Sequence, residues 1–239
     1  TLSRTAAGRG GSGGMTAEFA RGFRASVPAG IGVLVYGLVF GVLAAEKGVS
    51  APLLAVMNVA VFSGSAQLIL VGMWSGGFPV WQVALAAAVV NVRYFLLTAA
   101  VAPLLEPFGK FGRAWRVHFV TDENWAVTMA EGRRRQVSGD FLVGGGVCVG
   151  LFWFFSVMAG HGLGYSIAAP ERFGLDFAFT SLFAALAVTM WRGRKDIFPW
   201  TVSAAVAFAA FKLLPGAWYV LLGGAAGAAA AAVRGGEER

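Results

Sequence analysis

The chain has 239 residues, 57% of them hydrophobic and 13% charged, with a mean hydropathy of +0.69. Soluble domains carry roughly a quarter charged residues, so a water-soluble globular fold is excluded and an all-α integral membrane protein is expected. The formal charge of +7 does not imply a nucleic-acid partner, because the basic residues sit in short clusters between apolar runs, where they act as topology signals.

Residues 1–17 begin small, polar and Gly-rich and read as a flexible N-terminal tail. Residues 18–233 are expected to form a single polytopic membrane domain, followed by a charged tail at 234–239. A spanning helix needs ~20 mostly apolar residues. The first candidate covers 25–45, with Arg21 and Arg24 before it and Glu46-Lys47-Gly48 after it. From Gly48 to Val92 there is no charge, which is too long a run for one helix. Trp74-Ser75-Gly76-Gly77-Phe78-Pro79 divides it into expected spans at 53–74 and 79–103. Arg93 falls near the middle of the second. A cation there is costly and normally faces a cavity or a partner. On a regular helix of 3.6 residues per turn, Asn91 and Arg93 point to different faces, and Asn91 shares its face with Tyr94 and Thr98.

The stretch 113–131 is half apolar with a polar centre at Thr121-Asp122-Glu123-Asn124. Two readings stand: a broken or re-entrant segment buried against protein, or an amphipathic helix with its acids in water. Further spans are expected within 141–160, from about Phe173 to Trp191 with Asp176 one turn inside, and at 197–214 and 216–233. Phe62-Ser63-Gly64-Ser65-Ala66-Gln67-Leu68-Ile69-Leu70-Val71-Gly72-Met73-Trp74 has a faint echo at 179–191, sharing Phe, Val, Met and Trp at matching places. Phe78-Pro79 and Phe198-Pro199 follow the two copies. The expected fold is therefore seven or eight transmembrane helices in two weakly similar halves, about 25–131 and 139–233. Eight spans make the halves parallel repeats and seven make them inverted ones. Both assignments leave the same excess of Lys and Arg inside, so the positive-inside rule does not choose. The proximity of Arg21 and Arg24 to the first span favours a cytoplasmic start and eight.

Four motifs carry a resemblance. Ser63-Gly64-Ser65-Ala66-Gln67 is similar to a small-residue-then-glutamine motif, and Asn91-Val92-Arg93 to an Asn-x-Arg motif. Thr121-Asp122-Glu123 with Ala126, and Gly174-Leu175-Asp176-Phe177-Ala178, follow in the same order and at similar spacing. Over roughly 18–215 the chain resembles the AzlC-type branched-chain amino-acid permeases. The resemblance implies a multi-pass protein of the bacterial cytoplasmic membrane that exports branched-chain or similar hydrophobic amino acids. It also implies a small AzlD-type membrane subunit as partner. Tyr94 departs from the family, many members of which have histidine there, and this leaves open any histidine-based proton step.

For such a substrate Arg93 is a candidate cation for the carboxylate, or else one half of a structural ion pair. Asp122, Glu123 and Asp176 are candidates to hold the ammonium, to pair with Arg93 or to carry a coupled proton. The bland alternatives are solvated acids at Asp122 and Glu123 and a helix N-cap at Asp176. Ser63 and Gln67 share a helix face; with Ser65 they line a pathway or bond between helices. Asn91 reads first as a helix–helix bond. Cys148 is the single cysteine, and His118 and His161 are too few for a metal site. No cofactor is expected. Nucleotide-binding and hydrolytic motifs are absent from the sequence, so the chain is expected not to be an enzyme.

Overall fold

A computed structural model describes residues 12–74, 80–166, 188, 191, 193–214 and 218–237. Every regular element among them is helical: α1 (Ser12–Glu46), α2 (Ala51–Ala60), α3 (Gly64–Gly72), α4 (Val80–Asn91), α5 (Arg93–Leu105), α6 (Lys110–Val117), α7 (Asp122–Gly132) and α8 (Gly139–Ser166). A short 3-10 turn at Arg194–Asp196 then leads into α9 (Ile197–Leu213), followed by α10 (Trp218–Glu237). Three described helices are long and apolar enough to cross a membrane, within α1, α8 and the stretch ending α9. The bent pair α4–α5 makes a fourth, with a bend of 42°. Asp176 and the echo segment 179–191, apart from 188 and 191, lie outside the described residues.

The scaffold is the pair α1–α8, which lie against each other in parallel. Their contacts advance together along both chains. Gly22 meets Phe141, Gly37 meets Ser156, Gly41 meets Val157, and Leu38 meets Gly160. A Cβ on Gly22, Gly41, Gly144 or Gly160 would collide with a backbone carbonyl of the other helix. Small residues let two backbones approach this closely, which is how helices gain contact in lipid, where there is no hydrophobic drive between them. α1 ends in a Schellman turn: Val49 N–H bonds Ala44 O (2.9 Å) and Gly48 N–H bonds Ala45 O (2.9 Å), with Gly48 at φ 74°. His161 Nε2 on Val49 O (2.7 Å) ties this end to α8.

The expected span 53–74 is not a continuous helix. It breaks at Val61-Phe62-Ser63, and α3 turns back and packs against α4 instead of continuing α2. Gln67 shows this, because its Nε2 lies 2.6 Å from Val61 O and 3.5 Å from Met57 O. A continuing helix would carry Gln67 roughly 15 Å along the axis from Met57, out of reach. Leu68 and Val71 accordingly pack with Phe40, Leu43, Ala44 and Val49, at the end of α1.

The expected break within 113–131 is present, at His118–Thr121, and it too is a hairpin. Phe108, ahead of α6, lies against Gly139 at the start of α8, and Phe119 in the break lies against Gly146. α7 then returns towards Gly139, where α8 begins, and Trp125 and Met129 pack with Val101 and Leu105 at the end of α5. With 10, 9, 8 and 11 residues, α2, α3, α6 and α7 are each ~12–17 Å long, against a hydrocarbon core of ~30 Å.

The two hairpins enter from opposite ends of α8 and meet tip to tip. Phe62 packs on His118 (ring centroids 5.0 Å) and Phe119 (5.6 Å), and His118 Nε2 lies 3.1 Å from Val59 O. α4–α5 passes beside both tips, and its bend falls at Asn91–Arg93. α9 and α10 are antiparallel, Gly223 against Ala207 and Gly227 against Ser203, and α10 leans on α4.

Candidate functional site

Each hairpin tip is built by the same device. Ser63 has extended dihedrals and its Oγ accepts from Ala66 N (3.4 Å), which caps α3. Thr121, also extended, caps α7 by accepting from Asn124 N (3.2 Å). Ser and Thr suit these positions because their oxygens satisfy first-turn N–H groups that a helix cannot pair internally. A buried amide then holds each tip, bonding a carbonyl freed by the break and, at the second tip, a carbonyl of α8 as well. Gln67 Nε2 donates to Val61 O (2.6 Å), and Asn124 Nδ2 donates to Phe119 O (2.8 Å) and Leu142 O (2.8 Å). Both amide side chains are buried, at 1% and 0% exposure. Irregular backbone at membrane depth survives only with such partners.

Arg93 bridges the two tips. Its Nη2 donates to Ser65 Oγ (2.8 Å) on α3 and to Asp122 Oδ2 (2.8 Å) on α7. Side-chain exposures of 35% and 41% show that the ion pair faces an opening, where such a pair contributes ~1 kcal/mol or less. Asn91 accepts from Ser63 Oγ (2.8 Å) and so joins α4 to the first tip. The regular-helix expectation that Asn91 and Arg93 face apart is overturned here. The bend between them turns both towards α3, where Ser63 and Ser65 take one each.

These groups line one cavity of about 450 Å³. Its polar wall holds Ser63, Ser65, Gln67, Arg93, Asp122 and Glu123 from the sequence-based set, together with Thr121, Tyr94 and Asn58. Its apolar wall includes Ala29, Val33, Tyr36, Phe62, Leu68, Val149 and Trp153. The N-termini of α3 and α7 both abut the cavity, α3 from one hairpin and α7 from the other. Two helix N-termini and Arg93 supply donors suited to an anion. Asp122 and Glu123 supply acceptors suited to a cation.

Structure therefore brings together six of the eight sequence candidates. Asn91 stands behind the wall as a helix–helix bond, and Asp176 lies outside the described residues. Gln67 lines the cavity, yet its amide is committed to structure: Nε2 to Val61 O and Oε1 to the Trp153 indole N–H (3.0 Å). His118 pins the two tips together. Asn58 and Trp153 were not singled out by the sequence. Their roles come from a contact across the fold, with Trp153 Nε1 donating to Asn58 Oδ1 (3.1 Å). Among the described residues, no group of three or more His, Cys, Asp or Glu side chains is placed to hold a metal ion.

Half-helices meeting from opposite ends of α8 at a polar cavity, among helices long and apolar enough to cross a membrane, define a polytopic helical membrane protein. The chain belongs to the AzlC protein family, whose sequence profile matches residues 28–167. It is 23% identical over 183 residues to the branched-chain amino acid transport protein AzlC of Bacillus subtilis (strain 168), covering 75% of this chain and 70% of that protein. It is 24% identical over 182 residues to an uncharacterized membrane protein of Helicobacter pylori (strain ATCC 700392 / 26695), covering 73% and 78%. No solved structure matches the chain.

Proposed function

We propose that this protein is a secondary transporter, working as an exporter, of branched-chain or similar hydrophobic amino acids. The single observation that carries the reading is the cavity shared by two opposed half-helix N-termini, Arg93 and the carboxylates Asp122 and Glu123. A zwitterion needs donors for its carboxylate and acceptors for its ammonium in one place, and an apolar wall for an aliphatic side chain. The cavity offers all three. The name of the Bacillus subtilis relative supports the substrate class. Outward direction and a small AzlD-type partner subunit follow the family resemblance.

In this reading the substrate carboxylate competes with Asp122 for Arg93. Asp122, once released, holds the ammonium or takes up a coupled proton. Asp176 joins the acids as a third candidate. The two halves are read as repeats, supported by the parallel course of α1 and α8 and by the echo of 62–74 at 179–191.

The test is counterflow of radiolabelled valine, leucine and isoleucine in proteoliposomes, with and without a co-reconstituted small subunit. Saturable exchange of these substrates is expected. No exchange in either preparation would remove the transporter reading, and flux indifferent to a pH gradient would remove proton coupling. A rival reading, a non-transporting scaffold, takes the Arg93–Asp122 pair as purely structural. It is favoured if Arg93→Ala inserts normally and keeps full flux.

A further inference from the structure

Resting on the transporter reading, we propose that Asn58 is a substrate-binding residue that donates its Nδ2–H to the carboxylate of the bound amino acid. Asn58 sits on α2, one turn before the first hairpin tip, and is 4% exposed. Its Oδ1 accepts from the Trp153 indole N–H at 3.1 Å. The single indole N–H is shared between Asn58 Oδ1 and Gln67 Oε1 (3.0 Å), and because it only donates, both amides turn an oxygen towards it. Nδ2 is left on the other side, buried, with no hydrogen-bond partner in the protein, and Asn58 lines the cavity. The contrast within the site is informative. The NH2 groups of Gln67 and Asn124 each reach backbone carbonyls, whereas that of Asn58 reaches none. A buried donor left this way is costly unless a ligand or water completes it.

The cavity's chemistry says what completes it. The donors at hand are Asn58 Nδ2, the first N–H groups of α3 beyond the Ser63 cap, and Arg93, whose Nε is also buried and unpartnered. The carboxylates Asp122 and Glu123 gather at the start of α7. A zwitterion is matched best in one orientation. Its carboxylate, which only accepts, lies towards Asn58, α3 and Arg93; its ammonium, which only donates, lies towards α7. Val33, Leu68 and Val149 remain for the aliphatic chain. Asn58 thus selects for a carboxylate at the α-carbon as well as adding affinity.

The experiment is equilibrium binding of radiolabelled leucine to the purified full chain, with leucinamide, which lacks the carboxylate, as competitor. Asn58→Asp is the decisive variant, because it keeps an acceptor for the Trp153 indole and replaces the free donor with an acceptor. The expected result is leucine affinity lowered about tenfold or more, the ratio one charge-assisted hydrogen bond supports. Leucinamide, a tenfold weaker competitor in the wild type, should lose none of its affinity in the variant. Asn58→Leu, which removes both groups without adding charge, should weaken leucine similarly and covers the case of an Asn58→Asp protein that fails to fold. Wild-type leucine affinity in either variant overturns the proposal. A wild-type protein that binds no leucine overturns the transporter reading and this proposal together.

Discussion

Arg93 holds the two hairpin tips through a single nitrogen, and this makes its replacement informative. Arg93→Ala deletes the bond to Ser65 and leaves Asp122 with no cation beside it. The pair is partly exposed, so little folding stability is at stake. Transport should fall about tenfold or more, since the lost donor would act on the substrate itself. Counterflow and thermal unfolding on the same preparation check this: flux drops while the melting temperature holds. Sequence made Arg93 visible because a cation in an uncharged run has few innocent explanations. It could not reveal Asn58, an ordinary-looking polar residue in an apolar helix. What distinguishes Asn58 is its contact with Trp153, 95 residues away, and the donor which that contact leaves over.

At the scale of elements, the hairpins depend on buried amides as much as on their caps. Asn124→Leu strips Phe119 O of its side-chain donor and cuts the bond from the tip to Leu142 O of α8, both at a fully buried residue. It should cost about 2–3 kcal/mol, within the range for unsatisfied buried groups, and lower the melting temperature in detergent. Gln67→Leu strips Val61 O and the Trp153 indole of one partner each, and should cost about 1–2 kcal/mol. If Gln67→Leu were thermally silent yet abolished flux, Gln67 would belong to the substrate path rather than to the hairpin. The caps Ser63 and Thr121 were legible as polar residues in apolar company, but their work was not. Capping needs a helix start, and hydropathy read the first of these stretches as mid-span. The polar centre at 121–124 did signal a break, because too many polar groups crowd there for a helix facing lipid.

For the whole molecule, topology is the sharpest test. Cys148 is buried and is the single cysteine of the chain, so Cys148→Ala provides a background for labelling. Single cysteines replacing exposed Lys47, Gly109 and Arg134 should react with a membrane-impermeant maleimide in a fixed pattern. Gly109 and Arg134 label from one side and Lys47 from the other. Were α6–α7 to cross, Gly109 and Arg134 would label from opposite sides; were α2–α3 to cross, Lys47 and Gly109 would label from the same side. Gly160→Val probes the scaffold. Its side chain would drive into the Leu38 carbonyl and force α1 and α8 apart, so the yield of folded, monodisperse protein should fall.

The amino-acid sequence by itself determined the solvent this chain lives in, the family it belongs to, and the positions where polar chemistry interrupts apolar runs. Those follow from composition and local order, which burial in lipid constrains residue by residue. Tertiary structure decided direction. An apolar run long enough for one span is also long enough for a hairpin of two half-helices, and hydropathy counts residues without recording whether the chain turns back. Packing settles it: α3 turns because Gln67, Leu68 and Val71 find partners on α2 and at the end of α1, not beyond it. The site exists because two such turns, 121 and 63 in the chain, stop at the same depth against Gly146 and Gly150 of α8.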